Sequence, residues 1–132
     1  EQLIAVTKQS FYEGMSAVKI GNRVGDIGHA VDSYVSKYGF SVVRRYVGHG
    51  VGREVHESPD VPNYGTPGRG TRLCAGLVIA IEPMVNAGGY QVKTLRDGWT
   101  VETVDGSLSA HYENSILITK GDPIILTVPP VK

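Results

Sequence analysis

Disulfide chemistry is closed to this chain. It has one cysteine, Cys74, so no internal bridge can form; the simplest setting for the lone thiol is a reducing cytosol, and Cys74 reads as a small core residue. Long apolar runs are missing too: none reaches the roughly 18 residues of a membrane span. The opening EQLIAVTKQS has no basic region of the kind that starts a signal peptide. A soluble, cytoplasmic protein with no membrane partner is expected. Neither sign of charge is in excess, since thirteen basic and thirteen acidic side chains give a formal net charge of zero. That removes the electrostatic basis for general nucleic-acid or anionic-membrane binding. An initiating methionine is also lacking. The sequence opens at Glu1 inside a helical pattern, from which a removed upstream segment is expected.

What is present is enough for one compact unit. With 132 residues, 41% of them apolar, residues 1–132 read as a single domain with a real core. Leu3, Ile4, Thr7, Phe11, Met15 and Val18 recur at three- and four-residue steps, which predicts an amphipathic helix ending before Gly21-Asn22. Ile27, Val31, Tyr34, Val35 and Tyr38 predict a second helix, terminated by Gly39 in a left-handed conformation. The runs FSVVRRYV, GLVIAIEPMV, YQVKTL, WTVETV and HYENSILIT then read as strands, separated by Asp97-Gly98 and Asp105-Gly106 turns and by the loop NYGTPGRGTR. Helices first and strands afterwards argue for an α+β fold, a helix hairpin packed on a mostly antiparallel sheet.

Four residues stand out chemically. Period-two alternation in GLVIAIEPMV puts Glu82 at the end of a nearly all-apolar strand, on the face of Val78 and Ala80. HYENSILIT repeats the situation with Glu113, which shares a face with Ser115 and Leu117. A carboxylate in such a setting must be paired, hydrogen-bonded or bound to a cation. One alone reads as an edge-of-sheet ion pair; two, with histidines available, point toward a metal. His49 stands among Gly48, Gly50 and Gly52, where missing side chains allow backbone or ligand to come close. His56 follows in the same stretch, and taken singly each histidine is a plain hydrogen-bonder as readily as a ligand. His29 and His111 have no constellation of their own and read as structural or surface residues. Other chemistries fail on the residues. The glycines lack a Walker lysine, and Pro59 and Pro62 deny the helix that would hold a phosphate. His56-Glu57 opens a zincin pattern that ends in Asp60 where a histidine is needed. There is no G-x-S-x-G elbow, and Cys74 has no nucleophile signature.

Three blocks, YVGHGVGREVHESPDVPNYG, GLVIAIEPMVNAGG and DGWTVETVDGSLSAHYENSILIT, stand in an order and spacing that resemble the C-terminal half of the type I methionine aminopeptidases, within the creatinase or pita-bread metallopeptidase superfamily. The resemblance covers essentially the whole chain and is nearest to the bacterial branch. It implies half of a pita-bread fold and, for the complete enzyme, metal-dependent removal of N-terminal methionine from nascent proteins. It makes His49, Glu82 and Glu113 metal ligands, with Glu113 bridging two divalent ions, whether Co, Mn, Fe or Zn. His56 would be catalytic, hydrogen-bonding the substrate carbonyl oxygen, and Glu82 would double as general base. Val55 and Trp99 would line the pocket for the methionine side chain, although position 55 is often a larger aromatic in the family. The family also draws aspartates and a further histidine from an N-terminal half that nothing here matches, and Asp97 and Asp105, in turn dipeptides, are not substitutes. The chain is therefore half of an enzyme acting on peptide N-termini, or a non-catalytic or engineered half-domain that pairs with the missing half or with a second copy as a homodimer. A binding module that has lost catalysis is a third reading, against which the intact His49, His56, Glu82 and Glu113 speak.

Overall fold

A computed structural model describes residues 2–54 and 56–127. Two helices, α1 (Gln2–Ser16) and α2 (Val24–Ser36), form the expected hairpin. Leu3, Thr7 and Phe11 of the predicted stripe are buried, together with Val6, Ser10 and Gly14. Ile4, counted in that stripe, is 61% exposed. In the first turns the buried face is directed at α2 and the sheet, through Leu3 and Val6 against Val31, Val35 and Val85, which leaves Ile4 outside. At the start of α2 the Arg23 amide donates to Asp26 Oδ2 at 2.7 Å, and the Asp26 amide donates back to the Arg23 carbonyl at 2.9 Å. Beyond its end Gly39 takes φ +76°, the left-handed turn expected from the sequence. No helix of the described residues is long and apolar enough to cross a membrane.

Ten short strands follow among the described residues: β1 (Ser41–Val42), β2 (Gly48–Gly50), β3 (Glu57–Val61), β4 (Val78–Ile81), β5 (Met84–Asn86), β6 (Val92–Thr94), β7 (Val101–Thr103), β8 (Ser109–His111), β9 (Asn114–Leu117) and β10 (Ile124–Ile125). They make a five-stranded sheet in the order β10-β9-β4-β2-β3, a three-stranded sheet β1-β5-β8 and the hairpin β6-β7, with every pairing antiparallel. The helices lie on the face carrying Ile79, Ile81 and Ile116, and Phe11 and Tyr12 of α1 meet Tyr112 edge-on or tilted.

GLVIAIEPMV and HYENSILIT are each two strands rather than the one expected, because each crosses from the five-stranded to the three-stranded sheet. Pro83 has no N–H to continue a ladder, and the break falls at Glu82-Pro83 opposite Tyr112-Glu113. The pairing nevertheless keeps one register through the bend. Ile81 is opposite Asn114 on one side and Met84 opposite His111 on the other, with the Tyr112 amide donating to Pro83 O at 3.1 Å between them. Residues 78–86 and 109–117 thus form one bent ribbon. Cys74 is exposed rather than in the core; its neighbour Leu73, fully buried, takes the core position on that segment.

Candidate metal centre

The register brings the singled-out residues together. His49 of β2 is opposite Ala80 of β4, and Ala80 is opposite Ser115 of β9. One step of two residues along, at the bend, Glu82 and Glu113 come opposite each other on the same face. This face is the one turned away from Ile79, Ile81 and Ile116. Donor atoms of His49, Glu82 and Glu113 all lie within 4.8 Å of one another. His49 Nε2 is 2.9 Å from Glu82 Oε2 and 3.8 Å from Glu113 Oε2.

The glycines around His49 serve strand packing. A side chain on Gly48 would collide with the Ala80 carbonyl of β4, and one on Gly50 with the Ser58 carbonyl of β3. Their absence lets β3 and β4 close on β2 from both sides and holds His49, 8% exposed, in a narrow slot. Pro59 stands on β3, the edge strand, where the register shifts beside His49-Gly50 and no ladder donor is needed.

The donor chemistry fits a divalent cation. His49 Nδ1 lies 3.0 Å from Gly50 O, and a carbonyl only accepts, so Nδ1 carries the proton and Nε2 keeps its lone pair toward the carboxylates. A lone pair and a carboxylate oxygen face each other at 2.9 Å only with a positive charge between them, a proton or a metal ion. Burial and the adjacent Glu113 carboxylate, opposed by His49, push the Glu82 carboxyl up to about 7. Two carboxylates forced together beside an imidazole lone pair form a mixed donor set that could hold a divalent metal ion.

The remaining expected residues are distributed unevenly. The His56 ring lies 4.2 Å from the His49 ring, centroid to centroid, and both line an open cavity of about 350 Å³ with Glu57 and Asp60. Trp99 lies between β6 and β7, 81% exposed, and does not line that cavity. Val55 falls outside the described residues. Asp97 and Asp105 are held by backbone amides: Asp97 accepts from the Trp99 and Thr100 amides of its own turn, and Asp105 from the Ser107 amide of its turn and the Gly89 amide of a neighbouring loop. One neighbour of the centre was read from sequence as a surface residue. His111 Nε2 is 3.9 Å from Glu113 Oε1, so the two oxygens of Glu113 face two different imidazoles. The signal for it was the alternation itself, since residues 111 and 113 share a face.

A histidine and two carboxylates converge on a bent antiparallel ribbon under a helix hairpin, a donor cluster that could hold a metal ion. Residues 1–120 match the metallopeptidase family M24, and the chain belongs to that family. Among its relatives is the methionine aminopeptidase of Clostridium perfringens, 58% identical over 128 residues, a match that covers 97% of this chain and 51% of that protein. The crystal structure of methionine aminopeptidase from Rickettsia prowazekii superposes with a TM-score of 0.93 at 45% identity, covering 96% of this chain and 52% of that one. The prolidase from Pyrococcus furiosus shares the fold alone, with a TM-score of 0.70 at 22% identity over 98% of this chain and 33% of that one. The fold is therefore α+β, half of a pita-bread architecture, and the chain spans about half the length of the curated relatives it matches.

Proposed function

We propose that residues 1–132 are one domain, the C-terminal half of a cytoplasmic methionine aminopeptidase, which joined to its other half removes N-terminal methionine from new proteins. The observation that carries this reading is the convergence of His49, Glu82 and Glu113 within 4.8 Å in a chain whose relatives of twice its length are methionine aminopeptidases. His49, Glu82 and Glu113 would hold two divalent ions, Co, Mn, Fe or Zn, with further ligands coming from the other half. When bound, such ions polarise the scissile carbonyl and acidify the attacking water.

The chain's own residues then divide the work. Glu82 accepts the proton of the attacking water. His56, exposed beside His49, donates to the substrate carbonyl oxygen where negative charge develops. Val55 and Trp99 form part of the wall for the methionine side chain, and the exposure of Trp99, 81%, is consistent with a pocket whose other wall lies outside this chain. The peptide N-terminus is the substrate partner, and the missing half, or a second copy forming a homodimer, is the protein partner.

The test is to mix this chain with a separately expressed N-terminal half and assay a Met-Ala-Ser peptide with added Co or Mn, alongside sedimentation equilibrium. Turnover that requires both halves is expected. A stable monomer with full peptidase activity on its own would refute the half-enzyme reading.

A further inference from the structure

The bent ribbon meets a gap along the edge that faces β1 and β2. On this edge the carbonyls of alternate residues point outward, and backbone amides of two separate segments receive them. The Val51 amide donates to Val78 O at 2.8 Å, and β2 pairs His49 with Ala80. Past the bend the Val43 amide donates to Met84 O at 2.8 Å, and β1 pairs Val42 with Val85. Glu82 lies between these two stretches. Continuing the β2 register places Val47 opposite Glu82, but β2 begins at Gly48, and residues 44–47 have left the ladder to connect β1 to β2. The carbonyl of the residue that carries a proposed metal-binding carboxylate is the one without a strand partner.

Asn63 fills this place. It follows β3, is fully buried, and its Nδ2 donates to Glu82 O at 3.2 Å. The contact fixes the orientation of the amide, because a flipped side chain would set oxygen against oxygen. Asn63 Oδ1 finds no hydrogen-bond partner among the described residues. A buried acceptor left unsatisfied is costly, and an apolar residue of the same shape would avoid that cost. What the asparagine supplies here is the N–H donor.

We propose that Asn63 is the positioning residue of the metal centre. Its amide replaces a missing ladder donor, fixes the Glu82 backbone at the bend, and so keeps the Glu82 carboxylate within reach of His49 Nε2 and Glu113. The proposal rests on the reading of His49, Glu82 and Glu113 as ligands, and its readout is metal binding rather than turnover.

The experiment is a cobalt(II) titration of this chain joined to its other half, followed by visible absorption, with thermal melting of the metal-free protein in parallel. Asn63→Leu keeps the shape and removes the donor; Asn63→His restores an N–H. Asn63→Leu is expected to bind cobalt roughly 10- to 100-fold more weakly, the range for losing a group that orients a ligand, with an altered absorption band. Asn63→His should recover most of that loss. A packing role alone would lower the melting temperature and leave affinity and spectrum unchanged, which would overturn the proposal, as would equal weakening in the leucine and histidine variants. If Asn63→Leu does not fold, Asn63→Ala, titrated at a temperature where its circular dichroism is native, gives the same comparison. Failure of the unmodified chain joined to its other half to bind cobalt at all would remove the ligand reading itself, and the role of Asn63 with it.

Discussion

Two pairs of acidic side chains sit at bends of this chain, and their surroundings are opposite. Asp97 and Asp105 occupy hairpin and loop turns next to Gly98 and Gly106, and backbone amides converge on their carboxylates, from its own turn for Asp97 and from its own turn and the Gly89 loop for Asp105. Hydrogen bonds from Gly89 and Ser107 bring Asp105 down to about 2, and those from Thr100 and Trp99 lower Asp97. Glu82 and Glu113 occupy the bend of the ribbon, where the nearest charged group to each includes the other, and Glu82 is pushed up to about 7. A carboxylate whose charge is already answered by its own backbone is part of the scaffold. One whose charge is answered only in part, beside an imidazole lone pair, is prepared for a cation.

The sharpest way to break this comparison is to remove one carboxylate from each pair. On the proposed function, Glu113→Ala in the complete enzyme is expected to abolish turnover and to weaken metal binding, because it removes one of the three proposed ligands. Calorimetric titration measures this, and unchanged stoichiometry would take Glu113 out of the site. Asp105→Ala should leave metal binding intact and lower the melting temperature by a few degrees.

Next in size is His56, which touches the ring of His49 but carries no carboxylate contact among the described ion pairs. His56→Ala should lower kcat roughly a hundredfold, the scale of losing one oxyanion donor, with metal content unchanged. Metal loss equal to that of His49→Ala would reassign it as a ligand.

The two bends also predict opposite pH slopes for the metal-free chain. Glu82 titrates near 7 when folded against an ordinary 4.5, so between these values the folded state holds a proton that the unfolded state has released. The stability this confers is full below about 4.5 and is lost as pH rises through 7. Asp105 titrates near 2 against 3.8; its contribution is full above 3.8 and is lost as pH falls through 2. Urea midpoints measured across pH should show both slopes, Glu82→Gln removing the first and Asp105→Asn the second. Metal affinity should rise toward neutral pH as the proton on Glu82 ceases to compete.

The smallest expected effect is at His111. Its contact with Glu113 is half exposed and 3.9 Å long, and such pairs contribute under about 1 kcal/mol. His111→Ala should therefore change metal affinity by no more than about fivefold by the same titration.

Much of the site was legible because the ribbon keeps its register through the bend. Period-two reasoning applied to GLVIAIEPMV and HYENSILIT as unbroken strands still placed Glu82 and Glu113 on the correct face, although each segment is two strands. The helices followed from their periodicity, apart from Ile4, whose side of α1 depends on where α2 lies, and Tyr38, which falls past the end of α2 and is 42% exposed. Strands β2 and β3 were not legible. Gly48-His49-Gly50 has no β propensity, and Glu57–Val61 contains a proline; both are strands because neighbouring backbones close on them, which is a property of the tertiary fold. Asn63 could not be singled out for the same reason. Its partner is a carbonyl 19 residues away, left over by a break that only the assembled sheet reveals.

The common register has a consequence for how this chain can change length. Between Ala87 and Leu108 it makes an excursion that includes β6 and β7 and returns to its starting point, where the Ala87 amide meets Leu108 O at 2.8 Å. Glu82 faces Glu113 because of pairing inside the ribbon, which the excursion does not set. Residues can be added to or deleted from its interior, or the chain cut there and new ends made, with the centre kept in alignment. One residue inserted between Pro83 and Asn86 would shift every pair beyond it and turn β5 inside out. Changes of length inside the excursion therefore leave Glu82 opposite Glu113, although they would displace Trp99 and the Asp105 turn, whereas changes between Pro83 and Asn86 shift the register itself.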